Sequence, residues 1–146
     1  MSTIKIKDWE LHYEQAGSGA PLLLIHGLGS GSADWQAQIE HFSRHYSVIA
    51  PDLRGHGRSG RPAPPYQMSD FADDLIALMD ALSLPDAHVV GISLGGGIAF
   101  QLAVQAPKRL RSLTIVNSGP ELIPRTLLER FAIWQRLVIV NLMSLE

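Results

Sequence analysis

The chain has 146 residues, 46% of them hydrophobic and 18% charged, with a formal net charge of −2 and no cysteine. This is the composition of one globular domain with a single core, and it excludes a disordered chain, a disulfide scaffold and thiolate chemistry. Arg54, Arg58 and Arg61 are diluted by Asp52 and by prolines, and Lys108, Arg109 and Arg111 form only a short cluster, so no nucleic-acid partner is expected.

In chain order, Thr3 to Lys7 and Glu10 to Gln15 alternate polar and apolar residues around Asp8 and predict a β-hairpin. The opening "MSTIKIKDWE" lacks the apolar run of a signal peptide. "LLLIH", Leu22 to His26, is a continuous apolar run, as expected of a strand covered on both faces. The glycine-rich "GLGSGS" follows, and Ser32 is placed to cap a helix reaching Phe42, with Trp35, Ile39 and Phe42 on one face. "YSVIAP" is a second buried strand, and "DLRGHGRSGRPAPPY" a long loop. Ser69 is placed to cap a helix with Phe71, Leu75, Leu78, Met79 and Leu82 inward. "AHVVGIS" is a third buried strand, Leu94 to Ala106 a helix stopped by Pro107, and "RLRSLTIVN" a fourth strand. From Pro124 onward the pattern is helical, and its apolar stretch "FAIWQRLVIVNLM" is broken by Gln135 and Arg136 and too short to span a bilayer. A protein without a membrane partner, located in the cytoplasm, is expected.

A hairpin followed by alternating strands and helices predicts an α/β fold, a mostly parallel sheet with helices on both faces. Ligands of such sheets bind beyond the carboxyl ends of the strands. Two glycine-rich loops fall there: "HGLGS", His26 to Ser30, and "GISLG", Gly91 to Gly95. In the second, Ser93 stands at a strand-to-helix turn with Gly91 and Gly95 two residues away on either side, where a Cβ would crowd the bend. A serine so placed presents its hydroxyl at the sheet rim, under the amides that open the next helix. The amide of Leu94 is one candidate donor to a developing oxyanion, and the amide of Leu28, from the neighbouring loop, is the second. The bare G-x-S-x-G pattern is weak alone; its strand-to-helix setting and the second loop give it weight. No metal-ligand cluster, phosphate loop or dinucleotide fingerprint is present, and no cofactor is expected.

The ordered set "LLLIHGLGS", "YSVIAPDLRGHGRS", "VVGISLGGGIAFQLA" and "RLRSLTIVNS" resembles the first half of an α/β-hydrolase, of the lid-bearing esterase and enol-lactonase type. The resemblance implies the α/β-hydrolase fold without its last strands. It assigns residues 1–120 to the core and 121–146 to the start of a lid. It also implies a serine hydrolase of carboxylic esters or lactones, with Ser93 as nucleophile, the Leu28 and Leu94 amides as oxyanion hole, and His26, Gly27, Gly91 and Gly95 shaping the two loops. "DLRGHGRS", Asp52 to Ser59, resembles the family's structural turn. Epoxide-opening and dehalogenating relatives carry aspartate where this chain has Ser93. Carbon–carbon hydrolases often carry asparagine where it has Ile92.

The family's order is serine, then acid, then histidine, yet all six histidines precede Ser93. The acid and the histidine are therefore expected beyond residue 146, the chain is read as an N-terminal portion, and weak or no hydrolysis is expected of it alone. His26 reads as a loop residue, His56 as a turn residue, His12, His41 and His45 as surface or edge residues, and His88 as remote from Ser93. Asp34, Asp73, Asp74 and Asp80 read as solvated charges, and Glu121 as a candidate acid. A homodimer or swapped assembly through the exposed "LTIV" edge and the late apolar segment is also expected. Two alternatives stand beside the main reading: a non-catalytic binding or assembly protein of the same fold, and a carbon–carbon hydrolase or perhydrolase.

Overall fold

The computed structural model describes residues 2–119, so the expected helix after Pro124, the 121–146 segment and Glu121 lie outside the described residues. Strands β1 (Ser2–Ile6) and β2 (Trp9–Ala16) form the hairpin. Then come β3 (Ala20–Ile25), a short 3-10 turn (Ser32–Trp35), α1 (Gln36–Phe42) and β4 (Tyr46–Pro51). After the long loop follow α2 (Met68–Ala81), β5 (Ala87–Ile92), α3 (Leu94–Gln105), a 3-10 turn (Pro107–Arg109) and β6 (Leu110–Val116). One six-stranded sheet has the order β1-β2-β4-β3-β5-β6. β4, β3, β5 and β6 run parallel, and the two pairings made by β2 are antiparallel.

The unbroken apolar run of β3 has a direct cause: its alternate side chains bury on opposite faces. Leu23 and Ile25 join Val89, Ile49, Leu75, Leu78, Met79, Ile98 and Leu102 in the core beneath α2 and α3. Leu22 and Leu24 join Val48, Ala50 and Ile39 beneath α1. β6 lies at the sheet edge with much of its surface exposed.

Two helix starts differ from expectation. Ser32 does not cap a helix reaching Phe42; it opens the 3-10 turn, and the α-helix begins at Gln36. The reason is competition: the Ser32 amide donates to Asp52 Oδ1 at 2.5 Å, and its side chain bonds the same carboxylate. Ser69 is not a cap either. α2 starts one residue before it, and the Asp70 carboxylate accepts the Gln67 amide at 2.7 Å, closing the turn from its third position.

Candidate active site

Ser93 lies between the last residue of β5 and the first of α3, with φ 53° and ψ −118°, a backbone region that side chains disfavour. Its amide donates to the Val116 carbonyl at 3.0 Å, which ties the bend to β6. Its carbonyl accepts the amides of Gly96 at 3.0 Å and Gly97 at 3.3 Å and so starts α3. The residue is half-buried, at the rim of the sheet. Leu94 follows in the first helical turn, where amides lack a partner within the helix.

The two flanking glycines are required by contact. A Cβ on Gly91 would meet the Gly95 carbonyl, its carbon at 2.6 Å, and the Gly96 nitrogen at 2.8 Å. A Cβ on Gly95 would meet the Ile25 carbonyl oxygen and, at 2.5 Å, that of His26. The first glycine therefore lets α3 turn back on β5, and the second lets α3 lie against the end of β3.

The 26–32 loop reaches the same place. The Cβ position of Gly27 is 3.4 Å from Ser93 Cβ and 3.9 Å from Ser93 Oγ. Residues 27–30 form a turn closed by the Ser30 amide on the Gly27 carbonyl at 3.3 Å, with Gly29 at φ 71°. Leu28, at the outer corner, is 36% exposed. His26 is only 1% exposed. Its Nε2 accepts the Leu53 amide at 3.0 Å, and its Nδ1 lies 2.7 Å from the Gly27 carbonyl. Burial is the main reason its pKa falls to about 4, the nearby His56 ring adding to the fall and the bond to Gly27 opposing it.

Asp52, 2% exposed, holds the far end of the loop. Besides Ser32, it accepts the Arg58 amide at 2.9 Å and His12 Nδ1 at 3.1 Å. Burial opposes its charge, but the amides of Ser32 and Arg58, the Ser32 side chain and His12 outweigh that cost, and the carboxyl sits below its ordinary value. Ser59 completes the knot: its hydroxyl donates to the Asp52 carbonyl at 2.6 Å and accepts the His12 amide at 2.9 Å.

Two readings of charged residues are corrected. His12 is not a surface or edge residue; it is buried on β2, an interior strand, because Asp52 needs its proton. Asp74 is not a solvated charge. It is buried and takes two 2.6 Å bonds from Arg54, whose guanidinium lies 5.7–5.8 Å from the ring centres of Trp9, Tyr66 and Phe71. A strand histidine and a helix aspartate carry no local mark of a partner 40 or 20 positions away. His56 bonds the Arg54 carbonyl at 3.0 Å, and His88 bonds Ser112 at 2.8 Å. His41 and His45 are exposed. None of the six histidines hydrogen-bonds Ser93. Among the described residues, no group of three or more His, Asp or Glu side chains could hold a metal ion, and no helix is long and apolar enough to cross a membrane.

A family model described as alpha/beta hydrolase fold matches residues 20–145. A protein of Azorhizobium caulinodans, provisionally named carbamate hydrolase RutD, is 46% identical over 110 residues, which are 75% of this chain and 42% of the relative. The 2-hydroxymuconate semialdehyde hydrolase of Pseudomonas sp. is 39% identical over 115 residues, 76% of this chain and 41% of the relative. Among solved structures, Est816, described as an N-acyl homoserine lactone degrading enzyme, superposes with a TM-score of 0.81 at 34% identity. That match covers 92% of this chain and 52% of Est816. The chain thus spans about half the length of the proteins it matches.

Proposed function

This chain belongs to the alpha/beta hydrolase fold family, and we propose that it carries the nucleophile and oxyanion-binding half of a serine hydrolase acting on carboxylic esters or lactones. The observation that carries the reading is the conformation of Ser93: a serine held at φ 53° and ψ −118° on the rim of the sheet, beside the Gly27 loop. Strain of that kind persists where a function uses it. In the proposed reaction Ser93 Oγ attacks the carbonyl carbon. Its proton passes to a general base, and the Leu28 and Leu94 amides bind the oxyanion until the alcohol leaves and an acyl-enzyme remains. Water then releases the acid. Among the described residues none of the six histidines hydrogen-bonds Ser93, and the reading takes the general base to be a histidine that follows the nucleophile, in the family's order.

A fluorophosphonate probe with added imidazole as external base tests this reading. Slow modification at Ser93, accelerated by imidazole and abolished in Ser93→Ala, is the expected result. No modification of Ser93 under either condition favours a non-catalytic binding protein and overturns the proposal.

One second reading has support of its own. The resemblance to a semialdehyde hydrolase and to a protein with a carbamate hydrolase name favours a carbon–carbon or carbon–nitrogen bond as the target of the same serine. The apolar Ile92 and Leu94 beside Ser93 favour an uncharged acyl group instead. The exposed β6 edge supports pairing with a second copy of the chain. A strictly monomeric species by light scattering at high concentration would remove that element.

A further inference from the structure

We propose that Asn117, at the exit of β6, is a specificity-determining residue of the Ser93 site, and that its side-chain amide selects esters or lactones carrying an amide on the carbon next to the reacting carbonyl. The proposal rests on the reading of Ser93 as a nucleophile. Asn117 is held beside that serine by both of its neighbours. Val116, before it, accepts the Ser93 amide at 3.0 Å. Ser118, after it, packs on the first turn of α3: a Cβ on Gly96 would lie 2.5 Å from Ser118 Cβ and 2.8 Å from its Oγ. The chain therefore leaves β6 across the start of the nucleophile's own helix, with Asn117 between the two contacts.

The backbone at Asn117 has φ 48°, in the left-handed region that glycine adopts freely and asparagine tolerates. The turn accounts for either residue and does not call for an amide. The residue is exposed, and its side chain makes no hydrogen bond among the described residues. The residues flanking Ser93 are otherwise apolar: Leu28 and Val116 are exposed, and Ile92 and Leu94 half-buried. In a site of mostly apolar lining, a few fixed polar groups set orientation and specificity. A carboxamide is uncharged and offers one acceptor and two donors. A ketone or ether would use only its donors, and an ionised group would meet no opposite charge in it. An amide uses both sides: its N–H donates to Asn117 Oδ1, and its carbonyl accepts from Asn117 Nδ2. Because Asn117 directly follows the residue bonded to Ser93, the group it recognises sits close to the bond that breaks.

Two p-nitrophenyl esters of equal shape test the proposal, N-acetylalaninate and its apolar isostere 2,4-dimethylpentanoate. Acyl groups on Ser93 are followed by peptide mass spectrometry in the full chain, with Ser93→Ala as the blank. The variant is Asn117→Gly, which suits φ 48° and keeps the turn while removing the amide. Acylation by the N-acetylalaninate should fall about tenfold in Asn117→Gly, the loss of a hydrogen bond of ordinary strength, while acylation by the isostere stays unchanged. Taking each ester's ratio of wild type to variant cancels the difference in their intrinsic reactivity. Equal ratios for the two esters overturn the proposal. The second measurement does not need the nucleophile. Asparagine occurs only at positions 117 and 141, so 15N-asparagine labelling gives two side-chain amide signals. In Ser93→Ala, the Asn117 side-chain signal should move on titration with methyl N-acetylalaninate and hold with methyl 2,4-dimethylpentanoate. A signal that ignores both, or follows both equally, overturns the proposal. No acylation of wild-type Ser93 by either ester removes the hydrolase reading, while the titration still decides whether Asn117 binds the amide.

Discussion

The two loops that meet beyond β3 and β5 are held by different forces. The bend at Ser93 is fixed by lack of room: Gly91 and Gly95 face backbone carbonyls that cannot move aside. The 26–32 loop is fixed by buried polar groups, the His26 ring at one end and the Asp52 carboxylate at the other. One loop should therefore respond to added volume and ignore protons. The other should respond to protons and to lost hydrogen bonds.

The largest effect is expected from volume at the bend. Gly95→Ala gains about 1 kcal/mol of helix propensity, but its Cβ would overlap the carbonyl oxygens of Ile25 and His26. These belong to β3 and to the loop, so relief requires α3 to move off the sheet. A net loss of about 4 kcal/mol, or failure to fold, is expected by urea denaturation. A neutral or stabilising outcome would mean that α3 is not close-packed on β3, and the contrast between the loops would dissolve.

The same contrast governs what could be read from the sequence. The bend was legible because its cause is local: two glycines and a serine within five residues, after an apolar strand run. The strands were legible because each side chain of β3 buries on one face or the other, which leaves a continuous apolar signature. The clamp was not. Asp52 gathers His12, Ser32 and Arg58 from positions 40, 20 and 6 residues away, and each looks like an ordinary polar residue in its own neighbourhood. Ser32 even has the look of a helix cap, because the residue types that cap helices are those that bind any nearby carboxylate or amide. Burial decides between these roles, and burial of a polar side chain is a tertiary fact.

Asp52→Asn tests the polar side. The amide keeps one acceptor oxygen but turns an NH2 toward either the Ser32 or the Arg58 amide, donor against donor, and it removes the charge facing His12. A loss of about 3 kcal/mol in unfolding free energy is expected, the upper end of the cost of leaving a buried hydrogen-bond donor without its acceptor. The Ser30 and Ser32 amides should exchange faster, while the Ser93 amide keeps its protection. A variant within a few tenths of a kcal/mol of wild type would show that the loop holds without its clamp.

Acid should loosen the loop in two stages. The folded pKa of His26, about 4, lies below its ordinary value of 6.5. Between these values the unfolded chain binds more protons than the folded one, so stability falls as pH drops from 6.5 toward 4, by about 3 kcal/mol in total. The groups facing the ring are His56, whose centroid is 5.3 Å away, with Asp52 and Asp34 acting in the opposite sense. Asp52 adds the second stage. Its carboxyl is held below its ordinary 3.8, so its contribution is complete above that value and fades as pH falls further. Urea midpoints between pH 7 and 4 should slope downward in the wild type and much less in His26→Asn. A slope unchanged by that substitution would place the titrating group elsewhere.

The smallest effect carries the opposite sign and falls on the sterically held loop. Ser93 occupies φ 53° and ψ −118°, a region open to glycine and costly to other residues by about 1–3 kcal/mol. Ser93→Gly relieves that strain and returns about 0.5–1 kcal/mol of it as extra freedom of the unfolded chain. The variant should therefore be more stable than the wild type by about 1 kcal/mol and should not react with a fluorophosphonate. Ser93→Ala keeps the Cβ and the strain, so it should lose labelling with little change in stability. The pair separates two causes for a serine at this bend. If its hydroxyl served only to hold the turn, Ser93→Ala would be destabilised by the lost bond, and the gain in Ser93→Gly would shrink by the same amount. A gain in Gly with no change in Ala leaves the hydroxyl without a structural role, and a strained residue with no structural role is kept for what its oxygen can attack.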